Sequence, residues 1–428
     1  MIASTAPTTV PDMLILMPFV AQLLAIALMP FLAPRWWEQN YPKVSVGLGS
    51  ITILYYLFAL HDTARLVESL HEYASFVILL ASLFIVTGGI HIALKGGSTP
   101  FHNVLFLMGG ALLSNLIGTT GASVLLVRPW ITMNRIRLTG FHTVFFIFLI
   151  SNIGGALTPI GDPPLFLGFL KGVPFWWTLR HLFQPWLFTA GVLLLIFYAI
   201  DRQNFMKAPL EVRLKEVPVK SWKINGLINV IPLALILGAI FLPTPWRELL
   251  MISATVLAWI LTPPAIRRKN DFSFEPIKEV AWLFLGIFAT MIPALDYLEH
   301  HTETLASSIS MGPSQFYYFT GLLSSVLDNA PTYLTFLSIE MGLQGGDLGS
   351  RADVLHVALN DPRHLVAISM GAVFFGAMTY IGNGPNFMVR SIITEAGFRT
   401  PGFLSYIFLY ALPILLPVLA LAGWLFLR

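Results

Sequence analysis

Two ten-residue stretches far apart in this chain have nearly the same sequence, and each interrupts a long apolar segment. They are residues 155–164, GALTPIGDPP, and residues 376–385, GAMTYIGNGP, which agree at six of ten positions. Glycine and proline break helices, and lipid cannot satisfy the backbone groups that a break exposes. A break at membrane depth is therefore tolerated where protein packs around it or where it lines a watery cavity. A matched pair of broken helices, one in each half of a chain, is typical of the binding site of a secondary transporter.

The composition is that of a membrane protein. Hydrophobic residues make up 56% of the 428 residues and charged residues only 11%, whereas a soluble domain carries about 25% charged residues. A chain of this length allows roughly ten to twelve membrane segments of about 20 residues each. The basic residues lie in a few loops and form no single basic face, so nucleic-acid binding is not predicted. We therefore expect a multi-pass protein of the lipid bilayer, and its expected location is the bacterial cytoplasmic (inner) membrane.

Loop charges orient the chain in the membrane. Lysine and arginine are concentrated in 128–140, 201–223 and 264–279, which the positive-inside rule places in the cytoplasm. The loop 296–313 has acidic residues without lysine or arginine, which suits the outer face. Twelve apolar segments accompany these loops: 12–33, 44–60, 75–94, 103–127, 141–170, 183–200, 225–242, 248–263, 280–295, 314–337, 364–395 and 402–427.

Counting membrane crossings indicates that two of these segments do not span. The fourth segment begins and ends on the cytoplasmic side, so we predict a re-entrant hairpin with its break near 118–121. The same count makes the tenth segment a hairpin that enters from outside, with its break near 328–331. Each half then has five transmembrane helices and one re-entrant hairpin. An odd number of spans inverts the second half relative to the first, which predicts an inverted repeat.

The predicted fold is thus an all-α polytopic membrane protein with unwound helices at the midplane. The first inverted repeat is 1–201 and the second is 224–428, and 202–223 is a cytoplasmic linker. The predicted hairpins are 98–127 and 314–337, and the predicted broken helices are 141–170 and 364–395.

Polar side chains at the four breaks are the candidate ion- or substrate-binding residues. The candidates are Thr119, Thr120, Asn152, Thr158, Asp162, Ser325, Asp328, Asn329, Thr379, Asn383 and Asn386. A carboxylate at membrane depth is costly and is by default a functional hypothesis. Hard cations prefer oxygen ligands, so we expect sodium to bind at Asp162, Asp328 and Asn329. Because burial penalises a charged carboxylate, one site could hold a proton or a sodium ion but not both.

Structural roles for some of these residues remain open. Asp328 could cap the second helix of its hairpin, and Asp162 could cap the half-helix after its break. Ser114 and Asn115 could satisfy backbone groups within the first hairpin. Arg390 could reach an anionic substrate, pair with a carboxylate or extend to the membrane interface. No HExxH, P-loop or GxSxG pattern stands in a suitable context, so neither an enzyme nor an ATP-driven pump is predicted.

Two motifs resemble the ion transporter superfamily, and in particular NhaD-type sodium/proton antiporters and the citrate-transporter-like proteins near them. They are 151–162, SNIGGALTPIGD, and 324–331, SSVLDNAP. The resemblance assigns functional roles to Asn152 and Asp162. One position differs, because the Asp-Asn pair of that family at the first hairpin tip is Gly118-Thr119 here. The resemblance further implies a homodimer in which elevator-like motion carries the site across the membrane.

The leading expectation is a sodium/proton antiporter, with sodium and protons as the transported or coupling ions and no cofactor. The alternative is a sodium- or proton-coupled carrier of citrate or another dicarboxylate, in which the threonine- and asparagine-rich tips bind sodium together with substrate. Two acidic residues near the breaks disfavour a multiply charged anion unless cations neutralise them first. An arsenite-type or other metalloid exporter is a third, weaker expectation.

Overall fold

Helices dominate the structure. The computed structural model describes residues 11–95, 98–207, 221–300 and 311–428. In chain order the helices are α1 (Met17–Leu32), α2 (Pro34–Phe58), α3 (Thr63–Thr87), α4 (Pro100–Met133), α5 (Gly140–Leu149), α6 (Pro163–Lys171), α7 (Trp177–Lys207), α8 (Val230–Ala239), α9 (Trp246–Leu261), α10 (Pro264–Lys269), α11 (Glu275–His300), α12 (Pro313–Val326), α13 (Asn329–Leu343), α14 (Arg351–Asn360), α15 (Pro362–Phe375), α16 (Gly384–Glu395) and α17 (Phe403–Phe426).

Seven helical segments among the described residues are long and apolar enough to cross a membrane. Two shorter apolar helical segments, Leu227–Ala239 and Pro362–Met378, accompany them. The prediction of an all-α polytopic membrane protein is confirmed at this level.

A small sheet joins the two halves of the chain, which the sequence analysis did not predict. Strand β1 (His91–Lys95) pairs antiparallel with β2 (Ser221–Asn225). Helix α7 extends to Lys207, so the predicted linker 202–223 begins as helix and ends as strand, and its residues 208–220 lie outside the described residues. The His91 ring contacts the Asn270 side chain at 2.8 Å, and the Asn270 amide donates to the Ile90 carbonyl at 2.7 Å. Tertiary contacts of this kind, rather than local propensity, hold so short a sheet.

Helix α4 reverses direction at Gly118. This glycine has φ 78° and ψ 154°, a backbone conformation that residues other than glycine rarely adopt. The two arms lie side by side, because the Asn103 amide donates to the Asn134 side-chain oxygen at 2.8 Å and Phe106 stacks on Trp130 with 5.5 Å between ring centroids. The second arm extends to Met133, beyond the predicted end of the hairpin at 127, because Trp130 and Met133 continue the buried apolar face.

Helices α12 and α13 form a second antiparallel pair of similar design. Helix α12 ends at Val326 and α13 begins at Asn329, with extended backbone at Leu327 and Asp328 between them. The Phe316 and Phe336 rings, one on each helix, lie 6.2 Å apart. The chain therefore folds back within the predicted hairpin 314–337, and α13 continues to Leu343.

The two repeated stretches are the places where long apolar segments lose α-helical geometry. After α5 the chain forms a 3-10 turn at Ile153–Leu157 and resumes as α6 at Pro163. After α15 it forms a 3-10 turn at Gly376–Met378 and resumes as α16 at Gly384. Proline stands in the first turn of both later helices, where its missing N–H and fixed φ are no handicap.

Glycine is required inside both breaks because two segments of backbone cross at close range. A Cβ on Gly161 would overlap the Gly155 carbonyl oxygen, and a Cβ on Gly382 would lie 2.7 Å from the Gly376 carbonyl oxygen. The identical glycines of the repeated motif thus have a common steric cause.

The helices pack in two groups. The first three helices pack with α8, α9 and α11, and this set is called the outer group below. The two folded-back pairs, the two broken helices, α7 and α17 pack with one another and form the core group. The packing in the core group is crosswise, because α4 lies against α16 and α13 lies against α6. Each folded-back pair therefore contacts the half-helix of the opposite half of the chain.

Candidate functional site

The four breaks converge on the carboxylate of Asp162. This residue immediately precedes α6 and is 1% exposed. Its Oδ1 accepts hydrogen bonds from the Thr119 hydroxyl at 2.8 Å and from the Asn383 amide at 2.9 Å. Its Oδ2 accepts from the Asn329 amide at 2.5 Å. One side chain from each fold-back tip and one from the opposite break thus hold a single carboxylate.

A second set of amides extends this cluster into the second break. The Asn152 amide donates to the Asn386 side-chain oxygen at 2.7 Å. The Asn386 amide in turn donates to the carbonyls of Gly376 and Thr379 at 2.8 and 2.9 Å. Both asparagines are fully buried. They satisfy backbone groups that the break would otherwise leave without partners.

The two break threonines hold their loops against the fold-back tips. The Thr158 hydroxyl donates to the Asn115 carbonyl at 2.6 Å, and the Thr379 hydroxyl donates to the Ser325 carbonyl at 2.7 Å. Each threonine oxygen also accepts a backbone N–H three residues later, from Gly161 or Gly382, at 3.2 Å in both cases. These hydroxyls are therefore occupied by the backbone.

Asp328 and Asp162 have different environments. The Asp328 Oδ1 accepts from the Ala330 backbone N–H at 3.0 Å and caps α13, as one of the two open interpretations expected. Asp162 makes no such side-chain cap on α6. Asp328 lies near enough for its charge to act on Asp162. Among the described residues, no lysine, arginine or histidine makes a hydrogen bond or ion pair with either carboxylate.

Two buried amide oxygens beside this cluster have no hydrogen-bond partner among the described residues. They are Oδ1 of Asn152 and Oδ1 of Asn329. Both side chains face Gly376, because a Cβ there would lie 3.0 Å from Asn152 Oδ1 and 3.7 Å from Asn329 Nδ2. A buried acceptor without a donor is costly. Together with the Asp162 carboxylate, these oxygens are a donor set that suits a hard cation.

Two predicted residues lie at the margin of the site. Thr120 is partly exposed, and no hydrogen bond joins it to the cluster among the described residues. The Ser325 hydroxyl donates to the Leu322 carbonyl at 2.7 Å, so it serves its own helix. Arg390, which could have reached an anionic substrate, lies instead over the Tyr380 ring at 4.9 Å.

Several supporting residues were not among the predicted site residues. Asn115 donates to the carbonyls of Ala111 and Gly154 at 3.1 and 2.7 Å, and its side-chain oxygen accepts from the Leu157 N–H at 2.8 Å. The Ala111 bond is the backbone role within the hairpin that the sequence left open, whereas the bonds to Gly154 and Leu157 join Asn115 to the first break. The Ser123 and Ser151 hydroxyls are 2.8 Å apart, and the Ser151 carbonyl accepts from Asn383 at 3.1 Å. Ser151 opens the first motif, whereas nothing in the sequence marks Ser123.

Comparison with known proteins places this geometry in a family. The family model described as "Putative citrate transport" matches residues 8–427. A "46 kDa membrane protein" of Mycobacterium leprae (strain TN) is 25% identical over 329 residues, which cover 71% of this chain and 72% of that protein. The resemblance to citrate-transporter-like proteins is thereby confirmed. The chain belongs to the citrate transport family of membrane proteins.

Proposed function

We propose that the protein is a secondary active transporter that exchanges sodium for protons at Asp162. The observation that carries this proposal is a fully buried carboxylate held by three uncharged donors, Thr119, Asn329 and Asn383. A buried negative charge without a cationic partner is costly, and binding of either a sodium ion or a proton removes that cost. The two ions then compete for one carboxylate, which is the elementary requirement of exchange.

The proposed sodium ligands are Asp162, Asp328 and Asn329, with the free oxygen of Asn152 completing the set. Carboxylate and amide oxygens are the ligand types that hard cations prefer. The amides that now donate to Asp162 would turn their oxygens toward the ion. The role of Asp328 is to add a second negative charge nearby while its Oδ1 remains on the Ala330 N–H.

The proposed architecture is an inverted repeat of two halves, each with five transmembrane helices and one re-entrant hairpin. The recurrence of the same threonine bonds supports it, because Thr158 and Thr379 donate to equivalent carbonyls of the two fold-back pairs. The crosswise packing of α4 on α16 and of α13 on α6 also supports it. In this arrangement the core group carries the site, and the outer group stays fixed in a homodimer in the bacterial inner membrane. Elevator-like motion of the core group would expose Asp162 to each side in turn.

Sodium- or proton-coupled transport of citrate is the second candidate, and family membership favours it. The site constrains how such a substrate could bind. Two carboxylates, neither of them paired with a basic side chain among the described residues, repel a multiply charged anion, so cations would have to bind first. Citrate transport thus requires the same cation site at Asp162, with a carboxylate of the substrate as an additional ligand of the bound cation.

A liposome assay separates the two candidates. Purified protein is reconstituted with a pH-sensitive dye inside, and sodium, lithium, potassium and citrate are added in turn. Exchange predicts a dye response to sodium or lithium alone, which Asp162→Asn reduces to the level of protein-free liposomes because an amide cannot exchange a proton for sodium. Asp328→Asn is matched to Asp162→Asn as the same acid-to-amide change. It tests the charge of Asp328 alone, since an asparagine oxygen can still cap α13.

The outcomes are distinct. No response to cations, together with cation-dependent uptake of labelled citrate, would refute exchange and establish the second candidate. A response that survives in correctly folded Asp162→Asn would remove Asp162 from the mechanism.

A further inference from the structure

A second buried carboxylate lies in the core group, away from the site described above. Glu340 is near the end of α13 and is 0% exposed. Its Oε1 lies 3.3 Å from Nδ1 of His364 and accepts from the Gln344 amide at 3.1 Å. Its Oε2, like both ring nitrogens of His364, has no hydrogen-bond partner among the described residues, so Glu340 and His364 are in ion-pair contact without a hydrogen bond between them. The proposed exchange reaction does not use this pair.

Charge neutrality fixes how many protons this pair holds. Within the described part of the chain, no lysine or arginine forms an ion pair with Glu340. The other charged group that acts on His364 is Asp361, which is itself paired with Arg363 at 2.9 Å on the surface. The Phe316 ring covers the imidazole at 4.9 Å between ring centroids. Among the described residues, His364 is therefore the group that can neutralise the Glu340 carboxylate, through one proton held by the pair, and loss of that proton would leave a bare buried charge.

The corresponding histidine of the first half has a different partner. The Ser114 hydroxyl donates to the Ile150 carbonyl and the Ser324 hydroxyl to the Ala372 carbonyl, so these two carbonyls accept equivalent bonds, one residue out of register with the repeated stretches. His142 and His364 each stand eight residues before them, and each is the third residue of its helix. His142 lies 3.3 Å from Asp201.

Asp201, unlike Glu340, has a permanent cation. Its Oδ1 is paired with Arg137, and its Oδ2 accepts from the Asn103 amide at 2.8 Å. Arginine remains charged at any pH the protein experiences. The carboxylate is thus neutralised without a proton on His142.

We propose that Glu340 and His364 form a proton-binding site that ties α13 to α15. With its proton the pair is neutral and joins the second fold-back pair to the first half of the second broken helix. Without the proton, the uncompensated carboxylate must recruit water or move, which loosens that contact. The protein therefore loses stability as the pH rises past the point where the pair releases its proton.

Thermal unfolding of the purified full-length protein in detergent, from mildly acidic to alkaline pH, tests this site. The melting temperature of the wild type should fall toward alkaline pH, and this fall is called the alkaline loss below. Glu340→Gln should flatten that loss, because no carboxylate remains that needs the proton. His142→Gln, the matched control in the first half, should retain the alkaline loss of the wild type. The measurement does not depend on transport, so failure of the exchange proposal leaves it interpretable.

A double variant guards against loss of folding. Glu340→Gln with His364→Gln carries no charge at this position and should also lack the alkaline loss. His364→Gln alone should have a lower melting temperature than the double variant, because it leaves the carboxylate unpaired. An alkaline loss of equal size in wild type, Glu340→Gln and the double variant would overturn the proposal, as would a wild type with no alkaline loss.

Discussion

At the scale of single residues, the site depends on an asymmetry between equivalent positions. Asp162 and Asn383 occupy the same place in the two repeated stretches, and the asparagine donates to the aspartate at 2.9 Å. Two carboxylates at this distance would repel each other strongly in a buried environment. The difference between acid and amide at this one pair of positions therefore lets the two breaks meet with a single carboxylate between them.

The glycines of the breaks provide a test at the same scale. Gly161→Ala places a methyl group on the Gly155 carbonyl oxygen. We therefore expect overpacking to lower the free energy of unfolding by about 1–3 kcal/mol or more. Gly191→Ala is the control, because a Cβ there meets nothing within 4 Å in the middle of α7. Alanine at that position should be neutral or stabilise the helix by about 0.5–1 kcal/mol. Thermal unfolding in detergent measures both, and equal melting temperatures would contradict the steric argument.

At the scale of elements, buried polar residues close the open end of the first fold-back pair. Asn103 from the first arm and Asn134 from the end of the second are hydrogen-bonded at 2.8 Å, and Asn103 also binds Asp201 on α7. Arg137 pairs with Asp201 and donates to the Ser98 carbonyl at 2.8 Å. These contacts fix both arms to α7, so that the tip at Gly118 is held in place from its base.

Removal of the Arg137 side-chain charge should show how much these contacts at the open end of the fold-back pair contribute to the stability of the protein. Arg137→Met leaves the buried Asp201 carboxylate without its permanent partner. We expect the free energy of unfolding to fall by about 3–5 kcal/mol. Arg128→Met is the control, since its pair with Asp271 is at the surface and such pairs contribute about 0–1 kcal/mol. Chemical denaturation in detergent compares the two variants. A similar small effect in both would mean that His142 or water replaces the arginine.

At the scale of the whole molecule, Lys171 makes a charged contact between the two helix groups. Lys171, at the end of α6 in the core group, lies 2.7 Å from Glu72 on α3 in the outer group. On the same side, Arg65 pairs with Asp296 at 2.7 Å and Tyr56 donates to Asp296 at 2.6 Å within the outer group. Lys171 is the part of this charged region that would have to change partners in any sliding of one group past the other.

The absence of cysteine from the chain allows a direct test of the orientation. A single introduced cysteine is then the only thiol for an impermeant maleimide to label. Loop charges predict that Lys269→Cys, in the basic loop, reacts only after the membrane is permeabilised. Ala352→Cys, on the exposed side of α14, should react in intact cells. The opposite labelling pattern would invert the proposed topology.

The sequence predicted those features that depend on local chemistry. Its apolar composition identified a multi-pass membrane protein, and its two motifs identified the family, and both predictions are confirmed. Backbone breaks could be located because Gly118, Gly161 and Gly382 change the backbone wherever they stand. The strands β1 and β2 could not be found in this way, because five-residue strands depend on contacts such as that of His91 with Asn270.

By itself the sequence determined that the chain enters a membrane and where its helices break, because hydropathy and the backbone chemistry of glycine and proline act over a few residues. Only the tertiary structure decided which polar groups meet. The three donors of Asp162 are 43, 167 and 221 residues away in the chain. The sequence placed each of them at a break, but not on this one carboxylate. Likewise, nothing in the sequence distinguishes His364 from His142. The carboxylate partner of His142 is paired with an arginine, whereas that of His364 has no such pair in the described part of the chain. The roles of these residues follow from packing, since burial and neighbouring charge determine what each group can bind.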